Sequence, residues 1–141
     1  MSLTADQRWM VCLDIDGTLV HDDGYLSPRV AAEVRRVQEL GHLVVVATGR
    51  SAVNAIGVTK EIGLQDGKLI ASNGAVTVKI DTNHPRGFEP EEVITFDPTE
   101  VLTKLIASLP HAHFAVEDAA GVYKFHKAFP ADALGDVNHE T

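Results

Sequence analysis

Three short apolar runs, each closing on a small polar cluster, do most to constrain how this chain can fold. Residues 9–13, Trp-Met-Val-Cys-Leu, lead into Asp14-Ile15-Asp16-Gly17-Thr18. Residues 43–47, Leu-Val-Val-Val-Ala, lead into Thr48-Gly49-Arg50, and residues 68–72, a short strand with the apolar centre Leu69-Ile70-Ala71, lead into Asn73-Gly74-Ala75. Runs that are apolar at every position suit strands covered on both faces, as in a parallel sheet. A strand over residues 8–15 is therefore expected in the middle of such a sheet. Helix signals separate the runs. Ser27 before Pro28 is an N-cap followed by proline at the first helical position. Val30, Val34, Val37 and Leu40 follow at helical spacing, and Gly41 ends the pattern. Ser51 can cap a second helix that Gly63 ends. Strand, helix, strand, helix, strand implies right-handed crossovers and a parallel α/β sheet. Ligands in such sheets bind at the carboxyl ends of the strands, where all three polar clusters fall.

The first cluster carries the most chemistry. Asp14 and Asp16, spaced i and i+2, project the same way from an extended backbone. Two neighbouring carboxylates repel, and need a cation, a shared proton or strong donors. Gly17 permits a sharp turn after them, and Thr18 adds a hydroxyl and a backbone N–H. This stretch reads either as a metal-and-phosphate site or as an Asp-rich turn after a strand. A net charge of −8 argues against nucleic acid or an anionic membrane as main partner. No apolar stretch reaches transmembrane length. Cys12 is the single cysteine, which excludes an internal disulfide and fits a reducing cytoplasm. Its apolar neighbours predict a buried, inert thiol.

The pattern changes after residue 75. Residues 76–80 alternate like a strand with one wet face. Residues 81–91 read as a polar loop and residues 93–96 as a second strand. Asp97-Pro98-Thr99-Glu100 is a helix start, and Val101, Leu102, Leu105, Ile106 and Leu109 give the helix one apolar face. Residues 112–117 and 121–126 read as a hairpin, and residues 128–141 as a tail. The expected organisation is residues 1–75 as part of an α/β core, 76–127 as a distinct α+β module, and 128–141 as a tail.

The combination CLDIDGTLVHDDGYLSP, VVVATGR and IASNGA resembles the haloacid dehalogenase superfamily, and within it the Cof-type phosphatases with a large α/β cap. The likeness is close over residues 9–75 and extends in layout only over 76–127. It implies a Rossmann-like core, here with three parallel strands and incomplete, followed by part of the cap. It also implies a Mg²⁺-dependent phosphomonoester hydrolase acting on a small phosphorylated metabolite, such as a sugar phosphate. Asp14 would be the nucleophile and would form an aspartyl-phosphate. Asp16 would act as general acid and then base. Mg²⁺ would lie on the Asp14 carboxylate and the Asp16 main-chain carbonyl. Gly17, Thr18, Thr48 and Gly49 would bind phosphate, while Arg50, Asn73 and Gly74 would lie near the substrate. Plainer roles stay open: Thr48 as a turn cap, Arg50 in a helix-start salt bridge, Asn73-Gly74 as a simple turn.

Two further elements of the family pattern have no recognisable counterpart. These are a lysine after the cap and a downstream GDxxND-like stretch. Leu134-Gly135-Asp136-Val137-Asn138 has the wrong spacing for the second, and Lys124 and Lys127 sit in or beside the expected hairpin. The chain therefore reads as the N-terminal part of a longer protein, weak or inactive alone. Its first strand would present an open edge prone to self-association. The alternative is a non-catalytic phosphate- or Mg²⁺-binding module, or a subunit completed by another chain.

Overall fold

In a computed structural model, residues 7–129 and 139–140 are described. Strand β1 spans Met10–Leu13, helix α1 Pro28–Glu39, β2 Leu43–Ala47, α2 Ala52–Glu61 and β3 Asp66–Ala71. A short 3-10 turn follows at Ser72–Gly74, then β4 (Val76–Asp81) and β5 (Phe88–Val93). Beyond these lie α3 (Thr99–Ser108), β6 (Ala115–Glu117), β7 (Tyr123–Phe125) and β8 (His139–Glu140). The five-stranded sheet has the order β1-β2-β3-β4-β5. Strands β1, β2 and β3 are parallel, and β4 runs antiparallel to β3. The chain is thus α/β, with the parallel crossovers that the three apolar runs predict.

Each element has a local cause. Pro28 opens α1, and Gly41 at φ +82° reverses the chain after it. Ser51 Oγ accepts the Asn54 N–H at the start of α2. Val44, Val45 and Val46 are all buried, so β2 is covered on both faces. Along β4 the burial alternates, with Val78 and Ile80 inside and Lys79 outside. Val44, Val46, Val78 and Ile80 join Ile15, Ile62, Leu64 and Leu69 in one core. At roughly 1.5–3 kcal/mol for each large apolar side chain fully buried, that core is the main stabilising term.

Three expectations need correction. Strand β1 does not lie in the middle of the sheet but at its edge, the open edge expected of this chain taken alone, and Met10 is 65% exposed. Cys12, expected to be buried, is exposed for the same reason: β1 has a neighbour on one side only, and its alternation turns Met10 and Cys12 outward. The expected strand at 93–96 lies earlier, at Phe88–Val93, within the stretch read as a polar loop. Pro90 and three glutamates disguise it, and an edge strand tolerates proline.

The change of pattern at residue 75 is also not where the first compact unit ends. That unit runs to Glu92, because β4 and β5 continue the sheet and bury Val78, Ile80 and Phe88 in the common core. The second unit begins at Val93 and contains α3 and a small sheet of order β6-β7-β8. Asp97 Oδ1 accepts the N–H and hydroxyl of Thr99 at the start of α3. Strands β6 and β7 form the expected hairpin, with Gly121 at φ +81°. Most of the expected tail, including Leu134 to Asn138, lies outside the described residues. His139–Glu140, however, pairs in parallel with β7. Among the described residues no helix is long and apolar enough to cross a membrane.

Candidate active site

The site lies within the first unit, at the carboxyl ends of β1, β2 and β3. Ile15 organises the first loop. Its side chain is fully buried, and its carbonyl accepts the N–H groups of Thr18, Leu19 and Val20 at 3.3, 2.9 and 3.0 Å. With Ile15 pinned inward, Asp14 and Asp16 on either side are left exposed. Asp14 Oδ1 accepts the Ile15 N–H at 2.8 Å. Gly17, at φ +72°, takes a conformation that side-chain-bearing residues rarely adopt, and its N–H is donated to the Val20 carbonyl at 3.0 Å. Gly17 therefore shapes the loop, and its N–H points into that loop. Thr18 is exposed, and its N–H is used in the same turn.

The loop after β2 is tied to the loop after β3. The Thr48 N–H reaches the Ile70 carbonyl at 2.9 Å, and Thr48 is buried. Its hydroxyl accepts the Arg50 N–H at 3.2 Å, so the turn-cap role is real. A hydroxyl that accepts one bond can still donate another, so phosphate binding stays compatible with it. Asn73 N–H donates to the Thr48 carbonyl and Ser72 N–H to the Arg50 carbonyl, at 3.2 and 2.8 Å. Ser72 and Asn73 both have positive φ, at 49° and 54°. Two consecutive non-glycine residues there carry a backbone cost, and such cost collects at functional loops. A Cβ on Gly49 would come within 3.2 Å of Asn73 Oδ1, so the glycine lets these loops approach. Gly74 follows at φ +94° and is exposed.

Arg50 forms the salt bridge left open for it as a plainer role, with a partner, Asp16, that sequence reasoning did not name. Its Nε donates to Asp16 Oδ2 at 3.0 Å and its Nη2 to Asp16 Oδ1 at 2.5 Å, a two-point fork. These hydrogen bonds hold the Asp16 carboxyl below its ordinary value; slight burial opposes them and the charge of Arg50 adds to them. The Arg50 guanidinium is raised in turn, first by the same bonds and, more weakly, by the charges of Asp16 and Asp14. The register could have revealed the pair. Leu13 lies opposite Val46, so counting on three residues sets Asp16 beside Gly49 and next to Arg50.

The donors present suit a hard cation. The oxygens that could hold one are those of the Asp14 carboxylate and, as the family resemblance implies, the Asp16 main chain. Mg²⁺ commonly takes one or two carboxylates and completes its shell with water and phosphate. Among the described residues no three His, Cys, Asp or Glu side chains converge as a cage, and one carboxylate with one main-chain oxygen could supply only part of such a shell. His21, which has Asp22 and Asp23 as neighbours, stacks on Tyr25 and belongs to a tight solvated hairpin. Lys124 pairs with Asp118 at 3.3 Å, and Lys127 Nζ donates to the Pro110 carbonyl, so both are used within the second unit.

The sequence profile of the haloacid dehalogenase-like hydrolases matches residues 11–140. The chain belongs to that family. A Bacillus subtilis family relative named as 5-amino-6-(5-phospho-D-ribitylamino)uracil phosphatase is 26% identical over 129 residues. The match covers 92% of this chain and 41% of that protein. An HMP-PP phosphatase of Serratia proteamaculans is 35% identical over 65 residues, covering 46% of this chain and 23% of its own. A crystal structure of a haloacid dehalogenase-like hydrolase from Bacteroides thetaiotaomicron superposes with a TM-score of 0.65 at 19% identity. It covers 88% of this chain and 46% of its own, a likeness of fold. The chain thus spans less than half of the length of each of these relatives.

Proposed function

We propose that this haloacid dehalogenase-like chain carries the nucleophile half of a Mg²⁺-dependent phosphomonoesterase acting on a small phosphorylated metabolite, in the cytoplasm. The observation that carries the reading is the convergence of three strand ends. Asp14 and Asp16 lie on the first, Thr48 and Gly49 on the second, and Asn73 on the third is bonded back to Thr48. In the first half-reaction an Asp14 carboxylate oxygen attacks phosphorus. A bond from Asp14 to phosphorus forms and the bond to the ester oxygen breaks. Asp16, whose ionised form the Arg50 bonds favour, first takes up a proton from solvent and gives that proton to the departing oxygen, which leaves as an alcohol. In the second half-reaction Asp16 takes a proton from water. That water attacks phosphorus, releasing inorganic phosphate and restoring Asp14. Thr48 and the Gly49 loop orient the phosphoryl oxygens, with the start of α2 behind them. Gly17 and Thr18 shape the other wall. Arg50 and Gly74 stand where a leaving group would lie. The Asp14 carboxylate and the Asp16 carbonyl would hold Mg²⁺, which would supply positive charge against the repulsion between phosphate and the two aspartates.

The chain spans less than half of each of these relatives, and we assign the full rate to a longer polypeptide that includes this chain. The two phosphatases named above differ in their phosphorylated compounds, and the substrate assigned here is the class they share, a small phosphate ester. The test is phosphate release from an aryl phosphate with Mg²⁺ present. Replacing the nucleophile, Asp14→Asn, should cut the rate on the order of 10³-fold or more. Equal rates in both proteins would remove Asp14 from its role. Phosphate binding without turnover would favour a binding module instead.

A further inference from the structure

Arg50 and Asp16 are joined in a way that the phosphatase mechanism does not use. Each oxygen of the proposed acid receives one N–H from Arg50, at 3.0 and 2.5 Å. A carboxylate gripped in this fork has both oxygens engaged and offers neither to a leaving group. The main chain of Arg50 cannot relieve the grip. Its N–H is held by Thr48 Oγ1 and its carbonyl by the Ser72 N–H, while Ser51 beside it is buried. Only the side chain can move, and it starts from the loop that carries Thr48 and Gly49. The pair is also open to solvent, with side-chain exposures of 33% for Arg50 and 60% for Asp16. Solvent-exposed pairs exchange partners at little cost. A phosphate oxyanion offers the guanidinium the same two-point geometry with more charge.

We propose that Arg50 is a latch on Asp16: it holds both carboxylate oxygens in the resting site and transfers to a phosphate-type oxyanion when one binds. Arg50 is then a positioning residue for Asp16. The acid is freed to turn toward the leaving group only once an anion is in place. Until then the guanidinium offsets the repulsion between Asp14 and Asp16. The proposal rests on the phosphate-site reading above, and it predicts an effect that a permanent ion pair would not produce. If Arg50 stays on Asp16 when phosphate binds, removing the Asp16 charge matters little while Arg50 is present, and more once Arg50 is gone. If Arg50 leaves Asp16, the order is reversed.

The test uses the whole 141-residue chain with Mg²⁺ and inorganic phosphate as probe. Affinities are measured by calorimetry for the wild type, Asp16→Asn, Arg50→Ala and the double variant. The Arg50 side-chain Nε–H is followed by NMR. Both residues lie at the surface of the site, and backbone spectra verify that each variant is folded. The expected result is that Asp16→Asn tightens phosphate about ten-fold with Arg50 present, and by no more than about two-fold in the Arg50→Ala background. The Arg50 Nε–H should shift on Asp16→Asn and shift again when phosphate is added to the wild type. A larger gain in the Arg50→Ala background, or an Nε–H that ignores phosphate, overturns the latch and leaves the phosphate site standing. Absence of phosphate binding in both the wild type and Asp16→Asn overturns the phosphate-site reading, and the latch with it.

Discussion

Ile15 carries the geometry of the two aspartates, although it does no chemistry. It is fully buried, and its carbonyl collects three N–H groups of the following turn. Ile15→Ala should destabilise the first unit by about 2–5 kcal/mol, the usual cost of a cavity at a buried isoleucine. Urea denaturation measures it, and a loss well under that range would mean that the loop is held by hydrogen bonds alone. Asp118 is the counterpart in the second unit. It accepts the N–H groups of Val122 and Ala120, and these bonds hold its carboxyl below its ordinary value, with Lys124 adding to them. A depressed folded value means that the bonds support the hairpin at any pH above the ordinary carboxylate range. That support is lost as the pH falls through the depressed value. Amide exchange of the β6–β7 pairs should therefore stay protected from neutral pH down through the ordinary carboxylate range, and quicken only in stronger acid. Asp118→Asn should remove this pH dependence. Protection that changes with pH equally in both proteins would rule out Asp118 as its source.

The loops after β2 and β3 act together because Asn73 and Ser72 donate to Thr48 and Arg50. Gly49→Ala probes that junction. The new Cβ would stand 3.2 Å from Asn73 Oδ1, so the Asn73 side chain must give way. Phosphate affinity should fall about three- to ten-fold while the fold is kept. Unchanged affinity would show that the approach of the two loops does not matter to the site. At this scale the sequence was unevenly legible. Strand β2 could be placed because its apolar run is bounded by Gly41 and Thr48. Helices α1 and α2 could be placed because Ser27-Pro28 and Ser51 mark their starts. Strand β5 was misplaced because an edge strand needs no apolar alternation, and Glu89, Pro90, Glu91 and Glu92 mask it. Asp14 and Asp16 were legible as candidates through their spacing and their position at a strand end. The bond from Arg50 to Asp16 was not, because it spans 34 residues and depends on the β1–β2 register rather than on any local pattern.

For the molecule as a whole, the open side of β1 is the feature with the largest consequence. Strand β1 pairs only with β2, which leaves its other ladder edge without a neighbouring strand in the described sheet. Met10 is 65% exposed, Trp9 40% and Leu43 49%, so apolar side chains flank that edge. A cavity of about 350 Å³ lies beside it, lined by Val11, Leu13, Leu19, Val30, Val34 and Val37 among others. Unpaired strand edges with apolar flanks recruit further strands, and lysine on such an edge discourages them. A second copy of the chain can supply that strand, so we expect the isolated chain to self-associate through β1. Light scattering under reducing conditions, which exclude cross-linking through the exposed Cys12, should give a mass that rises with concentration. Met10→Lys should shift that curve toward monomer. The variant's unfolding midpoint should stay within about 0.5 kcal/mol of the wild type, because the replaced side chain is mostly in water. A monodisperse monomer at every concentration would show that the β1 edge is protected some other way. A Met10→Lys protein that associates as strongly as the wild type would move the contact elsewhere, with the exposed Val101 and Leu109 of α3 and its C-terminus as the next surface to test.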